Sequence, residues 1–159
     1  MRSCIIESIT ATGAALALGI SLAACGGGQG GDVSRFTGTW SATSGTVTVT
    51  CPGQNDSWSV TGTVRWDKGL ASDLVQATPP CIVDADVTGS TASGAGQTCS
   101  YDDGAGGTYT LTRPNYTFVL APDGRTAQEN ASGTLVDTNG GASLACTFSE
   151  TASYTKLGD

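Results

Sequence analysis

The chain has 159 residues, a formal charge of −7 from 7 basic and 14 acidic side chains, and no histidine. Such an acidic balance argues against nucleic acid and against anionic lipid as partners. The missing histidine removes the commonest general base, proton shuttle and metal ligand together.

A short start carrying Arg2 leads into an apolar run from Ile9 to Leu22. That is the length of a signal-peptide core and falls short of the roughly 20 residues that span a bilayer. The run ends in Leu22-Ala23-Ala24-Cys25, which resembles the bacterial lipobox, a hydrophobic residue and two small ones before the acylated cysteine. By that resemblance, signal peptidase II cuts between Ala24 and Cys25, and Cys25 carries a thioether-linked diacylglycerol. The new amino group is then acylated, with palmitate or a similar chain. Several acyl chains anchor stably where one binds only marginally. Gly26 to Gly31 reads as a flexible tether. Gly26 beside the anchor, rather than Asp, implies sorting to the outer membrane of a Gram-negative envelope. The expected division is a signal peptide over 1–24, a lipidated cysteine and tether over 25–34, and one exported β domain over 35–159. A chance quartet cut by the ordinary peptidase would instead leave a freely secreted protein.

From Phe36 onward the pattern is that of strands, with short alternating runs of Thr, Val and aromatics separated by Gly, Asp and Pro. Thr46 to Cys51 puts Val47, Val49 and Cys51 on one face. Ser57 to Trp66 reads as one long strand with Trp58, Val60, Val64 and Trp66 inward, bent or bulged at Gly62. Asp67 to Pro80 has no clean period and predicts a loop with one short strand. Cys81 to Val87 alternates Cys81, Val83, Ala85 and Val87 against Ile82, Asp84 and Asp86, whereas Gly89 to Gly107 predicts irregular surface around Cys99. Tyr109 and Leu111 follow, then Tyr116, Phe118 and Leu120, and a turn at Pro122-Asp123-Gly124. Thr126 to Val136 predicts a strand with Ala127, Ala131 and Leu135 inward. Asn139-Gly140 marks a hairpin, leading to Leu144, Cys146 and Phe148 and a last strand over Ala152 to Leu157. Eight to ten strands in a meander predict an all-β domain, either an antiparallel barrel or a β-sandwich.

The six cysteines divide by position. Cys4 leaves with the signal peptide and Cys25 is the anchor. Cys51, Cys81, Cys99 and Cys146, an even number in an exported domain, read as two disulfides. Three pairings are open, and keeping neighbouring strands together favours Cys51–Cys81 with Cys99–Cys146. Zinc is disfavoured, since no two of these cysteines are close in sequence and no histidine completes a site.

Gly38-Thr39-Trp40 at the start of the first strand is similar to the Gly-x-Trp signature of lipocalins, in which the Trp plugs the closed end of an eight-stranded ligand-binding barrel. That resemblance implies a C-terminal basic residue stacked on the Trp, for which Lys156 is the candidate. The family's Thr-Asp-Tyr-like turn is not evident. The whole mature pattern, from Gly-Thr-Trp through four cysteines to Thr151-Ala152-Ser153-Tyr154-Thr155-Lys156, resembles small surface lipoproteins of myxobacterial type, a group without an assigned activity.

Candidates for chemistry each have a plainer reading. Asp84 and Asp86 share a strand face as two carboxylates of a glycosidase would, but acids two apart on a strand are ordinarily solvated exterior. Asp102-Asp103-Gly104 lacks the spacing of a calcium loop and reads as a polar turn. Glu129 is isolated, and Glu150, in phase with Phe148, marks where the last strand leaves the core. No Ser-x-x-Lys or Gly-x-Ser-x-Gly motif is present. Trp40, Trp58 and Trp66 can line a ligand site, with core packing the stronger reading for Trp58 and Trp66. The expectation is a non-enzymatic envelope lipoprotein without cofactor or metal. It would meet the membrane through its lipid, and its β domain would present a surface for binding or structural interaction with an unknown envelope protein. The alternative is a lipocalin-like carrier of a small apolar ligand. A carrier requires a cavity of about 300–1,000 Å³, and an interaction module a filled core with an exposed apolar patch.

Overall fold

The computed structural model describes residues 31–78, 81–94, 96–102, 106–139 and 142–159. The lipobox and Cys25 lie outside these, as do Asp103, Gly104 and Gly140. After a 3₁₀ turn, Val33–Arg35, ten strands follow: β1 (Gly38–Cys51), β2 (Gln54–Ser59), β3 (Thr63–Lys68), β4 (Leu74–Thr78), β5 (Cys81–Thr88), β6 (Thr91–Gly94), β7 (Gln97–Asp102), β8 (Thr108–Leu120), β9 (Thr126–Asn139) and β10 (Ala142–Gly158). All pairings are antiparallel, and most join strands consecutive in sequence.

The ten segments make eight staves of a closed barrel. β2 and β3 pair with the two halves of β1, Thr46–Cys51 and Gly38–Ser41, so they are one stave broken in two. β6 and β7 divide β8 in the same way. The predicted long strand over Ser57 to Trp66 is thus interrupted rather than bent, at Val60–Gly62, where Gly62 takes a positive φ of 96° that favours glycine. The break puts Trp58 and Trp66 in different surroundings. The stretch predicted as irregular surface around Cys99 instead supplies β6 and β7, while Asp67 to Pro80 contains the one short strand expected.

Closure comes from β1 against β10, paired from Thr39↔Gly158 to Thr50↔Thr147 with register shifts at Thr39/Trp40 and Ala42/Ser44. Gly38 is what allows the start of β1 to pass the end of β10: its φ is 112°, and a Cβ there would collide with the Gly158 carbonyl oxygen. Closure also decides the disulfides, which are Cys51–Cys146 and Cys81–Cys99. The expected pairing, Cys51–Cys81 with Cys99–Cys146, is corrected. It assumed that bridges join strands near in sequence, whereas the first and last strands of a closed meander are themselves neighbours. On the described part of β5 the predicted alternation holds at every position, with Cys81, Val83, Ala85 and Val87 buried and Ile82, Asp84 and Asp86 exposed.

One end of the barrel is filled. Phe36, Trp40, Trp66 and Phe118 are fully buried there, with Leu120 and Tyr154 beside them. Trp40 meets Phe118 edge-on at 5.2 Å, and Trp66 and Tyr154 flank Phe118 at 5.9 and 5.6 Å. The Trp40 indole N–H donates to the Phe36 carbonyl at 2.8 Å, which satisfies the one polar atom of that ring. Lys156 Nζ lies 5.8 Å from the Trp40 ring centroid, as the lipocalin resemblance implies.

The two bridges close loops of very different length, with sequence separations of 95 and 18. Chain-entropy arguments give about 4.7 kcal/mol for the first and about 3 for the second. Urea unfolding should therefore show a larger loss for the double variant Cys51→Ala/Cys146→Ala than for Cys81→Ala/Cys99→Ala; the reverse order would contradict the loop-length argument.

Candidate functional site

The end opposite the plug is hollow. A cavity of about 600 Å³ opens between β1, β2, β7, β8, β9 and β10. Its wall is apolar, with Val47, Val49, Leu111, Leu135, Leu144 and Phe148 reinforced by the Cys51–Cys146 bridge. Trp58, Tyr101 and Tyr109 stand at its rim, 50%, 37% and 36% exposed. Gln54, Asp56, Asp137, Arg113 and Glu150 supply the polar lining.

These charged residues enter by the same alternation that makes the core. On β8, Tyr109, Leu111 and Arg113 share a face. On β9, Ala127, Glu129 and Ala131 do, and on β10, Cys146, Phe148 and Glu150. The small side chains of Ala127, Ala131 and Ala152, all buried, leave room across the sheet for Tyr116, Glu129 and Tyr154. A charged belt therefore separates plug from cavity. Arg113 Nη2 lies 3.8 Å from Glu150 Oε2, and both side chains are largely buried.

Behind that pair, Glu129 is 5% exposed. Burial, helped by the negative charge of Glu150, pushes its pKa up to about 7, against an opposing pull from the hydroxyls of Tyr154 and Tyr116 and from Arg113. The Tyr hydroxyls face the carboxyl closely enough to bias it, yet neither Tyr116 Oη nor Glu129 Oε2 closes a hydrogen bond. Burial likewise raises Glu150, with Arg113 opposing, and raises Tyr116 and Tyr154. Arg113 Nε and Asp137 Oδ1 are also buried without a protein partner. Unpartnered buried polar atoms are costly and usually have a functional or packing reason.

Of the three tryptophans expected as possible lining, only Trp58 reaches the cavity, and its expected core packing is corrected. Trp40 and Trp66 belong to the plug. Cys51 and Cys146 lie in the wall, and Cys81 and Cys99 join β5 to β7 nearby, where the Tyr101 hydroxyl approaches Cys81 Sγ at 2.9 Å. Asp84 and Asp86 face outward, Asp84 accepting from the Ser72 hydroxyl at 3.1 Å. Glu129 and Glu150 overturn their sequence readings. Neither is isolated nor at the end of a core row: both point into the barrel. The signal was present, since Glu129 is in phase with Ala127 and Ala131. An interior charge, though, becomes legible only once its neighbours are known.

Neither a scan against protein-family models nor a search of curated proteins finds a match to this chain. What the geometry defines is a closed eight-stranded antiparallel barrel, plugged at one end and hollow at the other, a fold compatible with a lipocalin-like binding domain.

Two expectations follow. Trp40→Ala or Trp66→Ala should cost about 3–5 kcal/mol, as large core truncations do, while Trp58→Ala should cost under about 1; urea midpoints separate them. A carboxyl whose folded pKa is raised keeps its proton in the folded state where the unfolded chain releases it. The contribution of Glu129 is therefore fully present below its ordinary value of 4.5 and is lost as pH rises to about 7. The loss is on the order of 3 kcal/mol. In Glu129→Gln, which cannot ionise, unfolding free energies at pH 4.5 and 7.5 should differ less than in the wild type; an unchanged difference would mean that Glu129 ionises freely.

Proposed function

We propose that this protein is a lipid-anchored, exported binding protein whose barrel holds a small amphipathic ligand, and that it acts without catalysis. The observation that carries the reading is the cavity. At about 600 Å³ it lies within the range of small-molecule sites, and it has an apolar wall, an aromatic rim and a charged floor. A module that works only by its outer face would have the hollow end filled as the plugged end is. Two disulfides fit an oxidising, extracytoplasmic compartment. The Leu22-Ala23-Ala24-Cys25 quartet and the glycines after it support an anchor at Cys25 on a tether in the cell envelope, with the outer membrane as its destination.

Binding is tested with Nile red, an uncharged probe whose emission rises in apolar surroundings. The wild type should take it up saturably. Leu135→Trp, which adds bulk to the wall, should abolish uptake at a stability cost of no more than about 1–3 kcal/mol, so that the variant still unfolds cooperatively. Undiminished uptake by that variant would put the probe on an outer surface and favour an interaction module. For the anchor, the intact mass of protein from the membrane fraction should begin at Cys25 and carry acyl groups that Cys25→Ala lacks. An unacylated soluble chain would refute it.

A further inference from the structure

We infer that the cavity selects a small organic cation, an ammonium ion on an apolar alkyl or aryl body; this rests on the binding reading above. The lining sets the charge. Asp56, Asp137 and Glu150 face the cavity against one guanidinium, that of Arg113, which Glu150 already engages at 3.8 Å. The cavity therefore presents more negative than positive charge to whatever enters.

The atoms left open agree with this. Asp137 Oδ1 is buried and without a protein partner, and a carboxylate oxygen of an ionised acid can only accept. The group that completes it must be a donor. Glu129, behind the floor and 5% exposed, also leaves Oε2 without a partner, deeper than the Arg113–Glu150 pair. A neutral hydrocarbon would leave Asp137 unsatisfied, and an anion would enter among like charges.

The rim points the same way for a different reason. Trp58, Tyr101 and Tyr109 are half-exposed aromatics around the opening of an acidic cavity. Aromatic faces attract ammonium groups through their quadrupole, most strongly when Trp contributes. The apolar wall behind them, Val47, Val49, Leu111 and Phe148 among its residues, accommodates the rest of such a molecule.

The test uses full-length protein, expressed with its own leader and purified oxidised from the fraction where it accumulates. Three probes of one skeleton, 4-phenylbutylammonium, 4-phenylbutanol and 4-phenylbutanoate, are titrated at pH 7 by calorimetry. The amine should bind about tenfold or more tightly than the other two. Asp137→Asn, nearly isosteric, should remove most of that preference while changing the affinity for the alcohol by less than about twofold. Asp56→Asn, at the exposed rim, should weaken the amine in the same direction without disturbing the fold, as thermal unfolding will report. If the alcohol or the carboxylate matches the amine in the wild type, cation selection is refuted and the cavity remains a binding site. If none of the three binds a folded protein that takes up Nile red, cation selection is refuted; if Nile red is not taken up either, the binding reading itself fails.

Discussion

Pairing of the first strand with the last is the constraint on which everything else rests. A meander of antiparallel strands leaves two edges, each a row of unpaired backbone groups open to aggregation, and closure removes both. In this chain closure runs along most of β1 and β10, and the Cys51–Cys146 bridge holds its far end. The near end depends on Gly38, whose missing side chain lets the backbone pass Gly158. The interior exists as an interior only because those two strands meet.

Within that interior, side-chain volume divides the barrel by height. The plugged end concentrates Trp40, Trp66, Phe118 and Tyr154, large rings that meet edge-on or tilted. Three buried alanines above them open room for Tyr116 and Glu129. Beyond the belt, the staves made by β2 and β7 carry Trp58 and Tyr101 at the rim, and no ring fills the centre. The belt is the least economical part of the fold. Buried carboxyls lose hydration, and Arg113 reaches Glu150 but leaves its own Nε open. Such a layer stabilises the barrel poorly, and its arrangement is better explained by what it offers the cavity.

Alternation on Cys81 to Val87 fixed the inward row because a strand buried on one face repeats every second residue, and nothing non-local is needed to see it. Gly38-Thr39-Trp40 and Lys156 could be linked through a family resemblance. Trp58 was misjudged because an inward position is core only where the barrel is filled. Paired with Val47, it faces the interior as Trp66 does, but at the hollow end, where its ring stays half-exposed. Glu129 and Glu150 were misjudged because a charge on an inward row is ambiguous in sequence, where it can end the row or lie within it.

The sequence by itself determined an all-β domain, four cysteines for two bridges, an acidic balance and the absence of histidine chemistry. These follow from local pattern, composition and count. Only the tertiary structure decided which cysteines join, since the pairing depends on two strands far apart in the chain becoming neighbours on closure. It also decided that the barrel is filled at one end and hollow at the other, because a void is a sum over many side chains converging from different strands. The gathering of Arg113, Glu129, Asp137 and Glu150 is of the same kind: residues from three strands reach one place only when their registers are set against each other.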